Sequence, residues 1–180
     1  VCLAAGYCLL GATWLIMKTE GELQLRAVRW GRRALWLTAL GVAAISMITP
    51  WISPRIFDKW FVLPYVVLLI PVPVATAVLF YMIERSLRRL PLRLGQGNEY
   101  GTAVPFFCVI GIFVLAFYGL AYSLFPYIVV DRITIWQAAS APQSLKLILV
   151  GAAVVLPAII GYTIFSYRVF SGKARDLTYQ

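Results

Sequence analysis

Five stretches of the chain, residues 1–17, 34–52, 61–83, 103–125 and 147–167, contain no Asp, Glu, Lys or Arg. A helix that crosses a bilayer needs about 20 consecutive apolar residues, and the last four stretches meet that length. The expected fold is therefore all-α, a polytopic membrane helix bundle of about five transmembrane helices with the first one truncated. Composition agrees: 62% of residues are apolar and 13% charged, where a soluble domain carries about 25% charged residues. The chain starts with Val1 rather than Met, and no basic segment precedes the first apolar run, so no signal peptide is visible. Residues 1–17 then read as the end of a transmembrane helix, 18–33 as a basic cytoplasmic loop, and 34–180 as a four-helix membrane bundle with a cytoplasmic C-terminal tail.

Charge tests that span count. Five spans place the segments 18–33 and 84–102 and the tail after residue 167 on one side of the membrane. That side holds twelve of the 16 basic residues, from Lys18 and Arg26 to Arg168 and Arg175. Only Arg55, Lys59, Arg132 and Lys146 fall on the other. Basic residues concentrate on the cytoplasmic side of membrane proteins, so the twelve are expected there. The net charge of +9 accordingly reads as topology and lipid headgroups, with no nucleic-acid partner. All six Trp lie near or outside the span ends, where indole rings prefer the interface. Pro64, Pro71 and Pro73 in the third span and Pro157 in the fifth are expected to kink their helices.

Chemistry is sparse. No ionisable residue falls inside a span. Glu84 comes closest, at the end of the third span one turn before Arg88, where an interfacial ion pair is a better reading than a proton entry site. The chain has no His, the usual axial haem ligand and imidazole metal ligand. Met17, Met47 and Met82 lie near span ends and read as gap-fillers. Cys2, Cys8 and Cys108 fall within spans as small apolar residues and offer neither a disulfide framework nor metal spacing. Neither a Ser-His-Asp nor a Cys-His arrangement can be assembled. "GQGNEYG" at 95–101 has GxGxxxG spacing, no Lys and no preceding strand, so it reads as a connector, not a phosphate loop. No catalytic, cofactor-binding or metal-ligating residue is assigned. Apolar grooves around Phe113, Phe117 and Tyr118 offer space for a structural quinone, which is likewise not assigned.

Past Met17, Arg26, Arg29 and Arg33 recur at i, i+3 and i+7 beside Trp30, a basic face suited to anionic lipid. The surrounding stretch "GATWLIMKTEGELQLRA", residues 11–27, resembles the end of the fourth helix and the following cytoplasmic loop of subunit II of cytochrome bd quinol oxidases. "FPYIVVDRITIWQAASAPQSL" at 125–145 and "LPAIIGYTIFSYRVFSGK" at 156–173 resemble the last external loop and terminal helix of the same subunit. The wording is closer to the cyanide-insensitive branch than to the enteric type, and Ser171 stands where the family commonly has Arg. The resemblance covers the chain as the C-terminal half of subunit II.

That resemblance implies a multi-pass protein of the bacterial inner membrane with a cytoplasmic C-terminus. Its partner is subunit I in a heterodimer, with room for a small third subunit. The implied complex oxidises quinol on the outer side and reduces oxygen to water with cytoplasmic protons, generating a proton gradient without pumping. Its two b-type haems, its d-type haem and its quinol-binding loop belong to subunit I, so this chain alone is implied to be non-catalytic. The family's proton- and oxygen-route residues and its His-Trp-Asp-Gly-Asn stretch belong to the N-terminal half, and none is carried over here. Half of a secondary transporter is the alternative, supported by the Pro-rich third span. The midplane offers it only Thr38, Ser46, Thr76, Tyr118 and Thr163. A structural lipid-binding protein is a third reading.

Overall fold

The computed structural model describes residues 1–52, 54–61, 69–96, 98–129, 132–170 and 172. The chain divides into two compact units, one built on Val1–Leu124 and one on Phe125–Gly172.

The first unit contains α1 (Cys2–Lys18), α2 (Gly21–Ile52), α3 (Pro54–Phe61), α4 (Pro71–Gly95) and α5 (Val104–Leu124). Its four longer helices form a ring in which α1 and α4 each touch both α2 and α5. The contacts fix their directions. Along the α1/α2 pair, Cys2 lies against Gly41, Ala12 against Gly31 and Ile16 against Gln24, so the two helices are antiparallel. The same holds for α2 and α4 through Gly31 with Leu87 and Arg32 with Glu84, and for α4 and α5 through Leu79 with Gly111 and Val72 with Gly119. Ring closure comes from Phe113 against Gly6 and from Trp14 with Phe106, whose ring centroids are 5.1 Å apart. The α1/α2 turn and the α4/α5 turn therefore lie at the same end of the bundle.

Between apolar helices in lipid there is little hydrophobic gain, and close packing through small residues takes its place. The sequence supplies that packing on a stripe of α2: Gln24, Ala27, Val28, Gly31, Ala34, Leu35 and Thr38 are all buried, at the 3–4 residue spacing of one helix face. Leu9 and Ile16 of α1, Ile83, Leu87 and Leu90 of α4, and Val109 and Ile112 of α5 complete the core. At the opposite end the short helix α3 buries Ile56, and Trp60 Nε1 donates to Ser123 Oγ of α5 at 3.0 Å.

The second unit has a short antiparallel pair, β1 (Tyr127–Val129) and β2 (Ile133–Thr134), then α6 (Pro142–Val169). Thr134 and Gln137 close the turn reciprocally: the Thr134 N–H donates to Gln137 Oε1 at 2.9 Å and the Gln137 N–H to Thr134 Oγ1 at 3.3 Å. Helix α6 buries none of its residues. Pro142 opens it, and Pro157 lies in its interior as expected.

The bundle is the all-α membrane architecture expected from the sequence, and α2, α5 and α6 are each long and apolar enough to cross a bilayer. Several boundaries differ. The segment read as a loop over 18–33 is helical on both sides of a break at Thr19 and Glu20. Glu, Leu, Gln, Arg and Ala between residues 22 and 27 are mostly strong helix formers, and the buried stripe continues through them. Pro71 and Pro73 follow Leu69, which is helical, and Ile70, whose backbone is in the right-handed helical region. They occupy the first turn of α4, where the backbone N–H groups have no intrahelical acceptor to lose. Of the span expected over 61–83, residues 62–68 with Pro64 lie outside the described residues. The described α4 falls short of a spanning helix because its second half carries Glu84, Arg85, Arg88, Arg89 and Arg93.

Candidate functional site

Charged groups gather at one end of the first unit. Helix α1 ends at Lys18, whose Nζ lies 5.3 Å from the Trp14 ring centroid, a cation–π distance. The last-turn carbonyls of α1 lack intrahelical partners, and side chains from both sides of the break reach them. Thr19 Oγ1 donates to the Leu15 carbonyl at 2.7 Å, and Gln24 Nε2 donates to the Ile16 carbonyl at 2.8 Å. Gln24 is 3% exposed, a polar group that the hydrogen bond makes tolerable in the core.

Glu84 is the hub of this end. Its Oε1 accepts from Arg88 Nε at 2.6 Å, one turn on, and from an Arg32 terminal nitrogen at 3.5 Å across the α2/α4 contact. The intrahelical half of this arrangement is the ion pair expected from the sequence, and the Arg32 half joins residues 52 apart. The Glu84 side chain is 15% exposed, and its Oε2 is buried without a partner among the described residues. A second pair, Arg26 with Glu22 at 2.6 Å, is open to solvent on both sides and adds little stability.

Next to this hub a groove of about 370 Å³ opens between α2 and α4. Buried Val28 and Leu87 and exposed Leu25 and Pro91 give it apolar surface, and Arg29, Arg32, Arg88 and the carboxylate of Glu22 line it with charge. Arg29 has no carboxylate partner among the described residues. Of the basic face expected from 26, 29 and 33, only Arg29 enters the groove. Arg26 turns to Glu22, and Arg33 is exposed elsewhere on α2.

The remaining sequence candidates do not converge. Leu10 of α1 and Ile110, Phe113, Val114 and Phe117 of α5 line a second groove of about 280 Å³, whose side chains offer no hydrogen bond to a quinone carbonyl. Tyr118 is 48% exposed and not part of it. The Thr38 and Thr76 hydroxyls each donate to the carbonyl four residues back in their own helix, at 2.8 Å, and are spent there. Met47 and Met82 are exposed, and Cys2, Cys8 and Cys108 are free thiols. Among the described residues no group of three or more His, Cys, Asp and Glu gathers, and the chain has no His. At 95–101 the Tyr100 N–H donates to Asn98 Oδ1 at 2.9 Å and Gly101 has a φ of +89°, a turn.

Compared with known families, residues 1–170 match the family model described as cytochrome bd terminal oxidase subunit II. No curated protein matches the chain.

Proposed function

The chain belongs to the cytochrome bd terminal oxidase subunit II family, and from that premise we propose that it is the scaffold on which subunit I assembles and works. Membership makes it a membrane component of a respiratory terminal quinol oxidase, a haem-containing complex that includes subunit I. In the finer reading subunit I holds two b-type haems, one d-type haem and the quinol. The present chain carries no reacting group and contributes packing surface, in a heterodimer with or without a small third subunit. The complex takes electrons from quinol at the outer face of the bacterial inner membrane and reduces oxygen with protons from the cytoplasm.

The observation that carries this reading is the family match over nearly the whole chain. Two structural facts support it. Charged turns lie together at one end of the first unit, which the positive-inside rule assigns to the cytoplasm. The highly apolar α6 buries none of its residues and needs lipid or a partner subunit around it. With four of the expected spans in the bundle and α6 as the fifth, the C-terminus is then cytoplasmic.

Quinol-dependent oxygen uptake by membranes tests the role. Cells that express subunit I without the protein containing this chain are expected to lose quinol oxidase activity, and to regain it when that protein is restored. Full activity in its absence would overturn the scaffold role.

A further inference from the structure

We propose that the groove between α2 and α4 is a binding site for the phosphodiester headgroup of an anionic phospholipid. The proposal rests on the membrane placement given above and not on the oxidase reaction. The groove lies where the uncharged runs of both helices stop. Arg32 is two residues outside the run that begins at Ala34, and Arg88 is five residues beyond Ile83. At about 1.5 Å rise per residue, Arg29, Arg32 and Arg88 sit within roughly one to two helical turns of the hydrocarbon edge, the depth of lipid phosphates.

Charge and size point to the same occupant. Glu84 binds one N–H of Arg88 and one of Arg32, which fixes the two guanidinium groups from two helices and leaves their other donors unspent, since each guanidinium has five. Arg29, without a carboxylate partner among the described residues, adds a third cation on the α2 side, and Glu22, the carboxylate on the groove lining, is paired with Arg26. Guanidinium forks match phosphate oxygens, and anionic lipid is the phosphate present at this depth. The volume of about 370 Å³ lies at the small end of ligand pockets, roughly 300–1,000 Å³, enough for a headgroup and too small for a whole lipid. Val28 and Leu87 on the apolar side of the groove suit glycerol carbons, and the acyl chains return to the bilayer along the uncharged halves of the helices.

The test uses the complete oxidase complex, solubilised and titrated with phosphatidylglycerol or phosphatidylcholine, with bound lipid counted by native mass spectrometry. Arg29→Gln is expected to weaken phosphatidylglycerol binding about fivefold and Arg29→Gln with Arg88→Gln about 25-fold, at about 1 kcal/mol per arginine. Phosphatidylcholine should bind more weakly and respond less. Arg33→Gln and Arg89→Gln, exposed at similar depth outside the groove, should change nothing. Wild-type phosphatidylglycerol binding by the double variant would overturn the proposal, as would an equal loss in the Arg33 and Arg89 controls, which would mean diffuse surface charge. Displacement by inorganic phosphate at concentrations comparable to the lipid would also overturn it, by identifying a free-anion site. The Arg29 single variant removes no internal ion pair, so its result stands even where the double variant assembles poorly. Lipid counts are read per subunit, independently of haem, so failure here is distinguishable from failure of the oxidase reading.

Discussion

At Gly41 a Cβ would meet Cys2 Sγ at 2.5 Å, Cys2 Cβ at 2.7 Å and the Cys2 backbone at 3.3 Å. The α1/α2 contact cannot take a methyl group there without moving one helix. Gly41→Ala is expected to destabilise the protein by about 1–3 kcal/mol, the cost of overpacking, seen as a lower unfolding midpoint in detergent. Gly11→Ala, where a Cβ meets nothing within 4 Å, should be neutral or stabilise by up to about 1 kcal/mol through helix propensity. Equal effects at the two positions would contradict the packing described for α1 and α2. Gln24→Leu removes the donor to the buried Ile16 carbonyl and is expected to cost about 1–3 kcal/mol, although it makes the helix more apolar. Of these contacts the sequence reveals only the local kind. Glu84 with Arg88 follows from i, i+4 spacing, whereas Arg32 with Glu84 and Gln24 with Ile16 depend on which helices meet. Gln24 did leave a trace, since it shares the 3–4 spacing of Ala27, Val28 and Gly31, but a polar side chain in a charged segment reads as solvated until the opposing carbonyl is known.

Among the helices, α4 shows how one face is separated from the other. Ile83, Leu87 and Leu90 are 0%, 0% and 2% exposed, whereas Leu92 is 74% exposed. Leu87→Ala opens a cavity and is expected to cost about 2–5 kcal/mol. Leu92→Ala should stay within about 0.5 kcal/mol, measured by the same unfolding assay; reversal of that order would mean α4 is rotated in the complex. Apolar run lengths made α2, α5 and α6 legible as spanning helices. The helical continuation over 21–33 was less so, because hydropathy sees charges there while propensity and the buried stripe favour helix. Pro71 and Pro73 are ambiguous in the sequence for a related reason: a proline inside an apolar run suggests a kink and equally marks the first turn of a helix, where both lie in α4.

For the whole molecule, the antiparallel ring places the α1/α2 turn and the α4/α5 turn at the same end of the first unit and α3 at the other. With Cys2, Cys8 and Cys108 replaced by Ser, single cysteines at Glu22 and Gln96 are expected to react with an impermeant maleimide from the cytoplasmic side only, and one at Asp58 from the outer side only. Labelling of Glu22→Cys and Gln96→Cys from opposite sides would break the ring. The central claim, that a chain without His serves a haem oxidase, is tested most directly by purifying the tagged full-length protein gently from native membranes and recording its reduced-minus-oxidised visible spectrum. A d-type band together with b-type bands is expected from the complex, and none from the protein expressed without subunit I. Purification free of haem while subunit I is present in the same membranes would contradict the claim.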